Sequence, residues 1–156
     1  MITKSRAKAA HSASASYPGR RRVICRSYPG IPEQVGKARQ EIAAVLDGCP
    51  ASDWVLLCLS EIATNTVIHS RSGNPGGHFT IAVDICTGEH VKVRVADDGG
   101  TWHREPYLDD VPRDHGLDIV ARLSSAMGIE GDETCRAVWF TCNWAIPAET
   151  DKERPG

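Results

Sequence analysis

The longest unbroken pattern of apolar and polar positions runs from residue 54 to residue 69, a stretch without Gly or Pro. Its length and its 3.6-residue periodicity predict a helix rather than a strand. Ser52 and Asp53 precede it and supply a side-chain oxygen acceptor and a negative charge for the helix start. The residues predicted to share its main apolar face are Val55, Leu56, Leu59, Ile62, Ala63, Thr66 and Val67.

A polar stripe interrupts this helix, because Glu61, Asn65 and His69 follow one another at intervals of four residues and therefore share a face. The apolar residues beside the stripe are Trp54, Leu57, Cys58 and Ile68. A helix that is apolar nearly all round is normally buried. We therefore expect Glu61 and Asn65 to face a partly enclosed space, and the alternatives to a functional pair are a satisfied polar pair in the core or a solvated edge of the helix.

Shorter patterns place the other elements. Alternation predicts strands at 21–26, 79–86, 91–95, 127–133 and 137–144, and helical spacing predicts helices from Pro32 to about Leu46 and over 117–125. Tyr28-Pro29-Gly30 reads as a turn, and 101–114 as a polar connection. The order β-α-α-β-β-loop-α-β-β predicts an α+β, two-layer α/β sandwich with helices on one face of a largely antiparallel sheet.

Length and charge divide the chain into a flexible basic tail (1–20), one domain (21–146) and a loose tail (147–156). Six of the 18 Lys and Arg residues fall within the first 22 residues, which contain no acid. The remaining 12 basic residues face 20 acidic ones, a balance of −8. An acidic body argues against direct nucleic-acid binding.

The six cysteines form no CxxC pair and no Cys/His metal spacing, so we expect reduced thiols in a cytoplasmic protein. No apolar run is long enough to span a membrane, and the first 16 residues lack the apolar segment of a secretory signal.

Two further segments carry candidate chemistry. Asp97 ends a predicted strand, where a carboxylate can accept a hydrogen bond from an exocyclic amine, and Gly99 beside it lets a flat ligand approach the backbone. Gly116 opens a predicted helix, where free backbone amides favour an anion. Taken singly, each segment is equally compatible with an ordinary turn or helix start.

Together, three segments in this order resemble the motifs of the GHKL, or Bergerat, ATP-binding fold. They are Ser60–His69, Val93–Gly99 and His115–Val120. Within that family the chain is similar to the anti-sigma-factor serine/threonine kinases, and the resemblance spans roughly residues 21–144. It implies ATP and Mg²⁺ as cofactors and a cytoplasmic regulator of transcription that works by partner switching.

The resemblance also implies roles for single residues. Glu61 would be the general base, and Asn65 would hold Mg²⁺ that bridges the ATP phosphates. Asp97 would accept the adenine amino group, and Gly99 would make room for the ring. The phosphate-binding residues implied around the start of the last helix are Arg113, His115, Gly116 and Leu117, with Arg104 an alternative source of positive charge. The segment from Gly100 to His115 would close as a lid, and we interpret His69 as a packed structural histidine.

Two departures from the family pattern leave the function open. Asp114 stands where the family has Gly, and Cys135-Arg136-Ala137 stands where it commonly has Gly and Thr. The leading hypothesis is a kinase acting on an anti-anti-sigma (STAS-like) protein, binding a sigma factor, or both, with a homodimer also implied. The alternatives are a non-catalytic nucleotide-binding or sigma-factor-sequestering module and, less favoured because no phosphoacceptor helix precedes the domain, a detached histidine-kinase ATPase domain.

Overall fold

The computed structural model describes residues 20–100 and 115–144, and the side chains of 115 and 116 are outside the description. The predicted order of elements is confirmed. The elements are β1 (Arg21–Pro29), α1 (Pro32–Val45), α2 (Ser52–His69), β2 (His78–Cys86), β3 (His90–Asp97), α3 (His115–Leu123), β4 (Ala126–Gly131) and β5 (Arg136–Asn143). A short 3₁₀ turn, Arg71–Gly73, follows α2. The two predicted tails, 1–20 and 147–156, lie outside the described residues apart from Arg20.

The five strands form one sheet in the order β1-β2-β3-β5-β4, and every neighbouring pair is antiparallel. The hairpins β2–β3 and β4–β5 are both as predicted. β1 lies at one edge, where Pro29 is tolerated because an edge strand has a free side. The predicted α+β sandwich with a largely antiparallel sheet is therefore confirmed.

The hydrophobic core lies between the helices and one face of the sheet. Alternate residues of β2 and β3 point into it, as the two-residue period requires. The buried helical residues that meet this face include Ala38, Ile42, Val55, Leu59, Ile62 and Val120. The central helix α2 packs against α1, α3 and the middle strand β3, so it is the element that joins the two layers.

The other face of the sheet carries polar and aromatic side chains. Lys92 lies 4.7 Å above the ring centroid of Trp139, and Arg94 forms a 3.3 Å salt bridge with Glu130. Both partners of that salt bridge are exposed, and such pairs contribute little to stability because solvent screens them. No helix within residues 20–100 and 115–144 packs on this face, and its polar pairs keep it compatible with water.

Three local predictions are wrong. Ser52 is the first residue of α2 and not its cap, because the chain enters the helix through Ala51 and no side chain caps it. Trp54 and Ile68 are 53% and 65% exposed, so α2 is not buried all round. His69, expected to be packed, is exposed. Trp54, Ile68 and His69 all lie within three residues of an end of α2, where the spacing of apolar residues does not determine whether another element covers them.

The first strand is also longer than the sequence pattern indicates. It continues to Pro29, and Tyr28 within it is buried and stacks on Phe79 with ring centroids 5.5 Å apart. The turn between β1 and α1, predicted to begin at Tyr28, therefore begins at Gly30. Its amide donates to the carbonyl of Gly77 at 2.9 Å, so the start of α1 is tied to the loop before β2.

All six cysteines lie within the described residues, and all are free thiols, as predicted. Cys58 of α2 and Cys142 of β5 are both buried in the core. The hydrogen bond with the Cys142 sulfur, together with burial, raises the pKa of the Cys58 thiol. The Cys58 thiol is therefore neutral and packs as a small apolar group. Among the described helices, none combines the length and apolar character needed to cross a membrane.

Candidate nucleotide-binding site

The polar stripe of α2 lies at the border of the core. Glu61 and Asn65 are half-buried, whereas Ile62 and Thr66 beside them are almost fully buried. The helix runs without a break through both polar residues, so their side chains leave it one turn apart on the same face. Half-burial permits both residues to contact a ligand without the full cost of desolvation.

Two hydrogen bonds join the end of α2 to the end of β3. The Arg71 amide donates to the Gly99 carbonyl at 2.8 Å. The Asp98 amide donates to the Ser72 hydroxyl oxygen at 2.9 Å. Ser72 is fully buried, whereas Asp98 is exposed, so the bond lies at the border between core and solvent. The first and second sequence motifs therefore belong to one connected structure.

Glycines make this junction possible. A side-chain carbon added to Gly73 would lie 2.0 Å from the Val67 carbonyl oxygen. One added to Gly77 would lie 2.2 Å from the Ser72 carbonyl oxygen, and one added to Gly30 would lie 1.6 Å from it. The loop after α2 is thus packed backbone against backbone. The sequence signal that could have indicated this is the concentration of glycines at 73, 76 and 77.

Asp97, the predicted adenine acceptor, ends β3 and is 4% exposed. Its Oδ1 accepts a hydrogen bond of 2.6 Å from the Gly99 amide, which fixes the carboxylate at the start of the turn. The neighbouring Asp98 carboxylate accepts the His78 amide at 2.8 Å. A carboxylate has acceptor capacity beyond one amide, so Asp97 can also accept from a ligand.

Gly99 has a φ of +79°, a conformation that glycine adopts without strain. A side-chain carbon there would lie 2.2 Å from the Glu133 carbonyl oxygen in the β4–β5 turn. The amide of the next residue, Gly100, donates to that same oxygen at 2.7 Å. Gly99 is therefore required by contact with the protein's own backbone. Its additional role beside a purine stays a prediction.

The β4–β5 turn that contacts Gly99 ends at Cys135, where the second departure from the family pattern, Cys135-Arg136-Ala137, begins. Asp132 accepts hydrogen bonds from the Thr134 hydroxyl and the backbone amides of Thr134 and Cys135, and these bonds lower the pKa of its carboxyl. The turn is followed by Arg136, which is the register partner of Asp97 on the adjacent strand. A basic residue thus stands opposite the predicted adenine acceptor.

The third motif is described only in part. His115 and Gly116 begin α3, so their amides have no acceptor within the helix. Leu117 packs against the hydrophobic core, which anchors the start of α3. α3 packs against α2, so this helix start and the polar stripe belong to neighbouring elements. Arg113, Arg104, Asp114 and the lid predicted over residues 100–115 lie outside the described residues, apart from Gly100 and the backbone of His115.

The chemistry of the donors fits a magnesium nucleotide. Glu61 and Asn65 provide hard oxygen atoms at the border of the core, which suit Mg²⁺, and Mg²⁺ is usually bound by few protein oxygens together with phosphate and water. Asp97 offers an acceptor, and the amides at the start of α3 offer donors for an anion. These groups are complementary to the two ends of ATP.

Comparison with known proteins agrees with this geometry. A family model described as a histidine kinase-like ATPase domain matches residues 28–142. The chain belongs to the histidine kinase-like ATPase domain family. The match contains α2, the end of β3, α3 and both strands of the last hairpin, so all three motifs of this ATPase domain fall inside it.

No curated protein matches this ATPase domain. A chain in the crystal structure of the SiaB–SiaC complex from Pseudomonas aeruginosa is 15% identical, with 92% of this chain and 99% of that chain covered and a TM-score of 0.46. A likeness of that size carries no argument about function.

Family membership implies ATP as the ligand of this ATPase domain. Sequence reasoning singled out candidate residues on α2 and β3 but not Ser72, which joins the ends of these two elements. It also did not single out Cys86, Glu89 and His90, whose ligand-type side-chain atoms lie within 4.8 Å of one another at the far end of the sheet. A search for Cys and His alone could not find this group, because its third member is a carboxylate.

Proposed function

We propose that this ATPase domain is a serine/threonine protein kinase that uses ATP and Mg²⁺ and regulates transcription by partner switching in the cytoplasm. The observation that carries the proposal is the pair of hydrogen bonds that join the turn after β3 to Arg71, which donates, and to Ser72, which accepts. They fix the helix that bears Glu61 and Asn65 relative to Asp97.

In this proposal, Asp97 accepts a hydrogen bond from the adenine amino group, and Asn65 holds Mg²⁺ through its side-chain oxygen. The backbone amides of His115, Gly116 and Leu117 and the side chain of Arg113 bind phosphate. Bound Mg²⁺ supplies positive charge that stabilises the phosphoryl group during transfer. The protein's part is to bind the nucleotide at both ends and to orient the acceptor.

Glu61 acts as the general base. Its carboxylate takes the proton of a serine or threonine hydroxyl on the partner while that oxygen forms a bond to the γ-phosphorus. The bond between the γ-phosphorus and the bridging oxygen breaks, and ADP leaves with that oxygen. A half-buried carboxylate near the site of attack suits this role.

The partner we propose is a small anti-anti-sigma (STAS-like) protein, a sigma factor, or both in alternation. The domain's preference for such partners rests on its similarity to anti-sigma-factor kinases. A homodimer is part of the same proposal, and direct contact with nucleic acid is not.

A non-catalytic module is the second candidate, and the position of Arg136 opposite Asp97 favours it. A guanidinium on the neighbouring strand competes with adenine for the Asp97 carboxylate. In that case the domain would bind its partner protein without transferring phosphate. Replacing Arg136 with Thr, a residue that the family commonly has near this position, should then increase the affinity for ATP.

Two measurements test the leading proposal. The first is the melting temperature of the full chain with ATP, with and without Mg²⁺, since a ligand at about 100 times its Kd adds about 2.7 kcal/mol of stability. The second is transfer of labelled phosphate from ATP to a panel of anti-anti-sigma domains. Glu61→Ala should reduce transfer about 10²- to 10⁴-fold and leave the ATP-dependent melting shift in place.

Glu33→Ala is the matched control, because Glu33 is an exposed acidic residue in the first turn of α1. It should leave both measurements unchanged. A chain that shows no melting shift at millimolar ATP and Mg²⁺ contradicts nucleotide binding altogether. A normal shift without phosphate transfer to any member of the panel favours the non-catalytic module.

A further inference from the structure

The β2–β3 hairpin lies at the end of the sheet that is opposite Asp97. β3 runs from His90 to Asp97. At the rise of an extended strand, these two residues are separated by roughly 23 Å. Cys86, the last residue of β2, and His90 are register partners across the hairpin. Register partners lie on the same face of a sheet, and here it is the face without helices.

A third ligand-type side chain completes this pair. The Cys86 thiol donates a hydrogen bond of 2.6 Å to Oε2 of Glu89, which lies in the connecting turn. The candidate ligand atoms of Cys86, Glu89 and His90 all lie within 4.8 Å of one another. A tetrahedral zinc ion with bonds of about 2.0–2.3 Å places its ligand atoms about 3.3–3.8 Å apart. Small side-chain rotations can change the present separations of the ligand atoms into those that zinc requires.

The backbone of the hairpin is held on both sides, so the three residues are preorganised. The Thr87 amide donates to the Arg20 carbonyl at 2.9 Å, and the Trp144 amide donates to the Glu89 carbonyl at 2.7 Å. Within the turn the Glu89 amide donates to the Cys86 carbonyl at 2.9 Å. Ligands on a rigid element lose less entropy when they bind an ion.

The charges around the hairpin are compatible with a cation. Asp84, on the same face of β2, is held by Arg21 in a 2.6 Å salt bridge, so this arginine is already paired. Binding of a metal ion deprotonates the Cys86 thiol, and the proton leaves to solvent as the thiolate forms.

We propose that Cys86, Glu89 and His90 form a zinc site on the open face of the sheet. The thiolate sulfur, an imidazole nitrogen and a carboxylate oxygen are the ligand types that Zn²⁺ prefers, and the set is one ligand short of a closed tetrahedron. The fourth position is open to water or to a side chain of a bound protein. Mg²⁺ is excluded because it prefers oxygen ligands alone. The site lies beyond the proposed kinase function and does not depend on it.

Titration of the untagged full chain with Co²⁺ tests the site, because a cobalt–thiolate bond gives a charge-transfer absorption in the near ultraviolet. Competition of Zn²⁺ against a chromophoric chelator then gives the affinity. One equivalent should bind, and Cys86→Ser should abolish the absorption. His90→Gln and Glu89→Gln should each weaken Zn²⁺ binding about tenfold or more.

Two matched controls use residues of the same type elsewhere on the sheet. Cys25→Ser removes an exposed thiol on β1, and His78→Gln removes an exposed imidazole at the other end of β2. Neither should alter the absorption or the affinity. Asn65→Ala should bind Zn²⁺ normally, which separates this site from the nucleotide site.

Circular dichroism establishes that each variant is folded, and His90→Gln and Glu89→Gln change side chains at the surface of the turn. Absorption of full strength in the Cys86→Ser protein would overturn the proposal. So would an unchanged Zn²⁺ affinity in the folded His90→Gln and Glu89→Gln proteins, or no cobalt–thiolate absorption in the parent chain.

Discussion

The Arg71 amide donates a 2.8 Å hydrogen bond to the Gly99 carbonyl, and this contact joins two segments that are 28 residues apart in sequence. Arg71 follows the helix that carries Asn65, and Gly99 follows the strand that carries Asp97. The bond between Ser72 and Asp98 runs beside it. Because the metal-binding and adenine-binding residues of the proposed site lie on these two elements, their spacing depends on this junction.

Asn65→Ala should remove the magnesium-dependent part of nucleotide binding. The substitution deletes the hard oxygen ligand that we propose for Mg²⁺. We expect the melting shift produced by ATP with Mg²⁺ to fall to the size seen with ATP alone. Asn74→Ala, in the exposed loop before β2, is the control and should retain the full shift. An undiminished magnesium-dependent shift in Asn65→Ala would exclude this residue as the ligand.

Ser72→Ala should destabilise the domain and weaken ATP binding together. Its hydroxyl belongs to a fully buried residue and accepts the Asp98 amide, so the variant leaves that amide without its partner at a cost of about 1–3 kcal/mol. Urea denaturation measures the stability, and the ATP-dependent melting shift measures the site.

The control for Ser72→Ala is Ser27→Ala, which removes an exposed hydroxyl that bonds to Thr80 at 2.7 Å. We expect it to cost less than about 0.5 kcal/mol. If the free energy of unfolding falls equally in the two variants, burial of Ser72 adds nothing to stability.

Gly99→Ala and Gly48→Ala form a matched pair, because both glycines have positive φ, +79° and +81°. Nothing lies within 4 Å of a side-chain carbon at Gly48, so its substitution should cost about 1–2 kcal/mol from backbone conformation alone. At Gly99 the added carbon would overlap the Glu133 carbonyl oxygen at 2.2 Å. We expect a further cost of about 1–3 kcal/mol there. Urea denaturation of both variants gives the difference directly.

Tyr28 gives the domain a stability that depends on alkaline pH. Burial, followed by its hydrogen bond to Glu41 at 2.6 Å, raises the pKa of Tyr28 to about 12. A phenol whose pKa is higher in the folded state stabilises that state fully below its unfolded pKa of about 10, and this contribution disappears as pH rises toward 12.

The free energy of unfolding of the parent chain should therefore fall more steeply than that of Tyr28→Phe between pH 10 and pH 12. Phe retains the stacking on Phe79, so the comparison isolates the hydroxyl. Urea denaturation at pH 8, 10 and 11 measures both slopes, and parallel slopes would contradict the raised pKa.

Sequence periodicity was sufficient for the elements because each pattern is a local property. The apolar spacing through Val55, Leu59 and Ile62 specified α2, and the alternation through Ile81 and Val83 specified β2. The apolar pattern places these residues on the buried face of their helix or strand, and it does so without information about which other elements pack against that face. The same reasoning failed at Trp54 and Ile68, because exposure at the two ends of a helix depends on how far the neighbouring layer extends.

The sequence by itself therefore determined the element order, the α+β class and the family, since three motifs with fixed spacing carry that information. Only the tertiary structure decided which distant groups meet. Register placed Arg136 opposite Asp97 and Cys86 opposite His90, and close packing of glycine backbone brought Ser72 to Asp98. The physical reason is that a side-chain pattern assigns a residue to a face, whereas strand pairing and backbone contact assign it a neighbour.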